Sequence, residues 1–321
     1  MAITPQTVVN DDGTGTTGTV WNAAFQLAFE AAIDAAIAEA SSVCQGRLTL
    51  TTAVPVTTAD VTGATSIKWT PYTGNRIALY SGTVWTTLTF VETSLALGTI
   101  TAALPYDVFA YNNSGTLALE ALAWTSATVR ATALVLQDGV LVKTGATTRR
   151  YLGTFYTTST TTTEDSAAKR FLWNYYNRVR RVMAGAPEMT DSWTYTTAVY
   201  RQARASTANQ VDFVLGVAEV PVTVDVYAHV SNSAGNVPVF VAIGEDSTTT
   251  TSINGTGVAV GRSDTPTAGA LSQIQAHDIR SPAIGRHFYA WLEISTATGT
   301  TTWYGDNGGL LQSGIVGTID G

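Results

Sequence analysis

The acidic residues Glu92, Asp107, Glu120, Asp225, Glu245 and Asp246 are the side chains best placed by type to do chemistry in this sequence. Two carboxylates facing each other across a groove would suffice for glycoside hydrolysis, one as acid and the other as nucleophile or base. Nothing in their spacing brings a pair together, so depolymerisation of a surface polysaccharide is the lesser alternative. No GxSxG, Walker loop or HExxH is present. His229, His277 and His287 are scattered without metal-ligand spacing and read as structural or surface residues. Gly13-Thr14-Gly15-Thr16-Thr17-Gly18 matches GxGxxG by letter, but no strand precedes it and no βαβ unit surrounds it. The chain therefore reads as a non-enzymatic protein with no catalytic, cofactor or metal site.

Residues suited to binding are easier to find. Trp303 and Tyr304 flank the turn Gly305-Asp306-Asn307-Gly308-Gly309, and flat aromatic faces at such a tip can stack on the pyranose rings of a host-surface glycan. Ordinary hairpin packing is the competing explanation. Lys169, Arg170, Arg178, Arg180 and Arg181 form a cationic group. The formal net charge of -7 and the absence of a reading motif favour ion pairs between domains or subunits, and no nucleic-acid partner is expected. The single cysteine, Cys44, excludes an intrachain disulfide and a thiolate zinc cluster.

Two stretches have helical spacing. In residues 162–185, Ala168, Phe171, Leu172, Tyr175, Val179, Val182 and Met183 make one apolar stripe, with Thr162 as cap and Gly185 and Pro187 as stop. This predicts a central helix over 161–187 that clasps two β domains together. In residues 19–40, Trp21, Phe25, Phe29, Ile33 and Ile37 follow at steps of four beside an alanine ridge. Such a helix either packs on its own β domain or self-associates about a symmetry axis, with the alanines allowing close approach. Residues 1–18 are polar and glycine-rich, an arm expected to order only against a partner.

Hydrophobic residues make up 45% of the chain and charged residues only 13%, against about a quarter charged in an ordinary domain. Threonine and glycine take up the difference, which favours pleated surfaces joined by turns. The predicted class is mainly β: an arm and amphipathic helix over 1–45, a first antiparallel domain over 46–160, and a sandwich or jelly roll over 188–321. Short strands are expected at 67–69, 76–80, 84–91, 107–111, 117–123, 140–142 and 150–156, with Asn112-Asn113-Ser114-Gly115 as a hairpin turn. Further strands are expected at 193–200, 211–217, 222–230, 237–243, 258–261, 271–276, 287–294 and 301–304. No run is long and apolar enough to span a bilayer, and the first residues lack a signal-peptide pattern. A soluble, cytoplasmically made protein without membrane insertion is expected.

The arm NDDGTGTTGTVWNAAF leading into a helix resembles the attachment segments of tailed-bacteriophage structural proteins. RLTLTTAVPVTTADVTGATSIKWTPYTGNRIALYSG and RRYLGTFYTTSTTTTEDSAAKRFLWNYYNRVRR look like a module of phage virion and tail-fibre-like proteins. The resemblance implies a virion component, commonly a homotrimer, that docks on other virion proteins through its N-terminus and carries outward β domains as a fibre, spike or head fibre. A capsid decoration protein is the alternative it leaves open.

Overall fold

The computed structural model describes residues 27–31, 41–252 and 259–321. Almost everything described after residue 41 is strand and turn, arranged in several sheets. Gly46–Thr49, Ser66–Pro71 and Thr93–Ala96 form a small sheet in that order, accompanied by the hairpin Arg76–Tyr80 and Trp85–Thr89. Next to them lies a sheet ordered Thr116–Ala123, Pro105–Asn113, Ala146–Tyr156, Val140–Lys143, Leu134–Gln137. The turn between Pro105–Asn113 and Thr116–Ala123 has left-handed torsions at Ser114 (φ 52°) and Gly115 (φ 91°), which matches the right-handed twist of the strands it joins. Asn112 Oδ1 steadies it by accepting from the Gly115 amide at 2.6 Å.

Successive side chains of a strand leave on opposite faces, so one sheet can serve two cores. Val108, Ala110, Leu152 and Phe155 pack with Leu48, Ile67, Trp69 and Ile77 on one side. Phe109 and Tyr151, from the same strands, face the other way into the core of the C-terminal half. That second core lies in a β-sandwich. One layer contains Gln210–Leu215, Gly285–Ile294, Val237–Glu245 and Val260–Thr265 in order, and the other Arg180–Ala184, Gly314–Asp320, Val222–Asn232, Thr301–Tyr304 and Ser192–Thr194. Ser272–Arg280 pairs along Val222–Val230 on the other edge of that strand.

The central helix expected over 161–187 is not there. Its residues form the strands Thr163–Asp165, Lys169–Arg170, Leu172–Asn174 and Arg180–Ala184. Leu172 enters the first core and Trp173 the second, and Leu172–Asn174 pairs with Ala146–Tyr156. Lys169–Arg170 runs parallel to Gln210–Leu215, the exception to antiparallel pairing among the described residues, while Arg180–Ala184 edges the sheet of Gly314–Asp320. The apolar residues at helical spacing belong to several short strands with different surroundings: Leu172 and Trp173 go to different cores and Val182 is exposed, so the stripe is a coincidence of spacing. Gly185 is no helix stop either. A Cβ there would lie 2.8 Å from Ile315 Cγ2 and 3.0 Å from the Ala208 oxygen, so the position needs glycine for close approach.

The strand expected over 193–200 shortens to Ser192–Thr194, whereas Leu134–Gln137, joined to Val140–Lys143 through Asp138 and Gly139, is a hairpin strand that was not anticipated. Of the expected N-terminal helix, residues 27–31 are described and helical. The arm over 1–18, the GxGxxG-like string, and Trp21, Phe25, Ile33 and Ile37 lie outside the described residues.

Candidate functional site

The strand Val222–Asn232 alternates without a break: Val222, Val224, Val226, Ala228 and Val230 are buried, while Thr223, Asp225, Tyr227 and His229 occupy the opposite, half-exposed face. Its neighbours fix what surrounds each of these. Tyr227 lies between Gln275 and Gly314, and His229 between Gln273 and Tyr304. Asp225 lies between His277 and Val316, with His277 Nδ1 2.8 Å from Asp225 Oδ1. Gly314 brings no side chain beside the Tyr227 ring, and a Cβ built there would meet nothing within 4 Å.

Two shallow hollows open on this face. One, of about 480 Å³, is lined by Met189, His229, Asp306, Leu310 and Gln312 among others. The second, of about 340 Å³, involves Pro187, Tyr227, Gly314 and Val316, and shares Gln312 with the first. Burial pulls the His229 pKa below its ordinary value. The His229 amide donates to Ser313 Oγ at 3.0 Å, tying the 305–313 loop to the sheet. Asp306 Oδ1 is enclosed without a donor among the described residues.

The carboxylates that could have formed a hydrolytic pair are each engaged. Glu92 accepts from the Ala53 amide and from Thr70 Oγ1, both at 2.6 Å. Asp107 is held by Arg130 at 2.7 Å and by Thr154 Oγ1 at 2.7 Å. Glu120 bridges Lys143 and Arg149; burial alone would raise its pKa, but hydrogen bonds from those two cations outweigh it and hold the carboxyl below its usual range. Glu245 pairs with Arg280 at 2.6 Å and Asp246 with His287 at 2.7 Å. The cationic group is likewise spoken for: Lys169 pairs with Glu164, Arg170 and Arg181 with Asp165, Arg178 with Glu219, and Arg180 with Asp320. Among the described residues no cluster of His, Cys, Asp and Glu is arranged to hold a metal.

Of the two residues expected at a ligand tip, Trp303 is fully enclosed in the sandwich core and has no face to offer a sugar. Tyr304, one residue on, points to the other side of the strand and is half-buried beside Ser231, 3.1 Å from its hydroxyl. The turn residues Asp306 and Gly309 do border the larger hollow. Tyr227, His229, Gln312 and Gly314 were missed by sequence reasoning. The alternation in VTVDVYAHV was the available signal, since it separates Tyr227 and His229 from the valines of the core. At the other end of the chain, Leu27 is 60% exposed and Phe29 48% exposed on the helical residues 27–31.

No protein-family model matches the chain, and no match emerges among curated proteins. Among solved structures, the insecticidal delta-endotoxin Cry8Ea1 of Bacillus thuringiensis aligns with 81% of this chain and 49% of its own, at 6% identity and a TM-score of 0.25. Latent PorU from Porphyromonas gingivalis aligns with 69% of this chain and 24% of its own, at 9% identity and 0.26. The infectious bursal disease virus Gx strain structure aligns with 88% and 78%, at 8% identity and 0.22. The chain thus spans about half the length of the toxin and a quarter of PorU, and scores this low carry no functional argument.

Proposed function

We propose that this chain is a structural component of a tailed-phage particle, a fibre or spike that docks and oligomerises through its N-terminal segment and holds its β domains outward toward the host surface. The observation that carries the reading is the exposure of Leu27 and Phe29 on a helix that precedes a body whose own cores are closed. Leu27 and Phe29, two residues apart, leave the helix in different directions, so copies packing around it would bury both, at about 25 cal/mol per Å² of apolar surface covered. The β body supplies what a displayed element needs: strands paired across several sheets and ion pairs that tie them together, such as Asp107 with Arg130 and Glu245 with Arg280.

Native mass spectrometry of the full chain at micromolar concentration tests this. A homotrimer is the expected species, and Leu27→Asp with Phe29→Asp is expected to convert it to monomers without changing the β-sheet circular dichroism. Monomers alone from the unaltered chain overturn the reading.

A further inference from the structure

We infer that the outer face of Val222–Asn232 is a binding furrow for a neutral oligosaccharide, seated along Tyr227, His229, Gln312 and the gap at Gly314. The inference deepens the host-surface reading above by giving it a site and a ligand class. It rests on how the face is furnished. The two hollows share Gln312 as a lining residue, so they lie side by side along the strand, and each falls within the ~300–1,000 Å³ of small-molecule sites. Tyr227 lines the smaller one with its flank over Gly314 bare, leaving room for a flat ring to approach the phenol. Neighbouring strands place Tyr304 roughly 5 Å sideways of His229, and His229 roughly 7 Å along from Tyr227, which is the scale of successive sugar units.

Charge decides between ligand classes. Neither hollow is lined by lysine or arginine, and Asp306 lies at one end, so a phosphate, sulfate or nucleic-acid backbone would meet no cation there. Neutral hydroxyl groups suit the same surface well. Gln273 and Gln275 stand exposed beside His229 and Tyr227, and His229, whose Nδ1 lies 3.4 Å from Ser313 Oγ, keeps Nε2 for a hydroxyl. Met189 and Leu310, both largely exposed at the rim, match the C–H faces of a pyranose.

The test is calorimetric titration of the full chain with cellohexaose, maltohexaose and chitohexaose. At least one is expected to bind, and Gly314→Val is expected to weaken it by at least about tenfold by filling the space beside Tyr227. A Cβ at Gly314 meets nothing within 4 Å, so the variant is expected to keep the parent melting temperature. Tyr227→Ala should weaken the same saccharide comparably. Failure of all three sugars to bind overturns the site, as does binding that ignores both substitutions. If Gly314→Val instead changes the oligomeric state, the face is an interface between copies and the glycan assignment falls. Because the association test reads Leu27 and Phe29, the two proposals fail separately.

Discussion

Among the ion pairs of this protein, that between His287 and Asp246 joins two groups whose pKa values the contact shifts in opposite directions. Burial would lower the His287 pKa, but the hydrogen bond and charge of Asp246 outweigh it, so the value lies above the ordinary 6.5. Burial would raise Asp246 above 3.8, yet the His287 contact and the Phe288 amide hold it below. Stability from the raised histidine is complete below 6.5 and fades as pH climbs through its folded value; that from the depressed aspartate is present above 3.8 and fades as pH drops through its own. The pair therefore supports the fold most between those limits. Proton NMR titration is expected to place His287 above 6.5 in the parent and to move it down in Asp246→Asn. A second pair tests burial itself. Arg130 joins Asp107 to the Gly216 oxygen across the two halves, with Asp107 almost fully enclosed. Asp107→Ala should cost about 3–5 kcal/mol by leaving that cation unpaired. Asp264→Ala, which breaks an exposed pair with Arg262, should cost within about 1 kcal/mol. Urea denaturation of both variants provides the comparison.

At the scale of elements, the middle segment shows where sequence patterning stops being informative. A strand with one wet face advertises itself by alternation, as Val222–Asn232 does, and a tight hairpin by its turn residues, as Ser114 and Gly115 do. Leu172–Asn174 has no wet face: all three residues are buried. Its period-2 character is visible only in the destinations of the side chains, and those depend on two cores that are assembled from distant parts of the chain. The same blindness misplaced Trp303, whose partner Val230 lies on a strand more than seventy residues earlier; the alternation that buries Trp303 leaves Tyr304 facing outward. Charge partners were equally illegible, because Asp165 meets Arg170 and Arg181 only after the segment folds back. Truncating the strand on its two faces should be costly on both. Trp173→Ala is expected to lose about 3–5 kcal/mol and Leu172→Ala about 2–5, measured by chemical denaturation. A helix with one buried stripe would have made one of these adjacent positions tolerant.

For the whole molecule, the cut suggested by composition at residue 188 runs through shared structure. Arg180–Ala184 is the edge strand of the sheet that continues with Gly314–Asp320, and Lys169–Arg170 extends the opposite layer beside Gln210–Leu215. Trp173, Phe109 and Tyr151 fill the core of the C-terminal sandwich from outside it. Tyr151 is buried so deeply that its phenol pKa is driven up, chiefly by burial and then by the Asp107 charge, and its hydroxyl bonds Thr154 at 2.6 Å. The reverse tie is as firm: Arg47 of the first sheet donates to the oxygens of Asn177 and Gly321, and the Trp173 indole donates to the Asp320 oxygen at 3.1 Å. Removing residues 1–187 would expose the apolar surface those three aromatics cover and leave two sheet edges unpaired, a loss larger than the ~5–15 kcal/mol that stabilises a typical domain. The fragment 188–321 should therefore lack dispersed amide resonances in a heteronuclear NMR spectrum. The complete chain should melt in one calorimetric transition, with tryptophan fluorescence and far-ultraviolet circular dichroism coinciding. Two separated transitions, or a folded fragment, would show that the halves are independent and that the strands between them are a tether rather than shared structure.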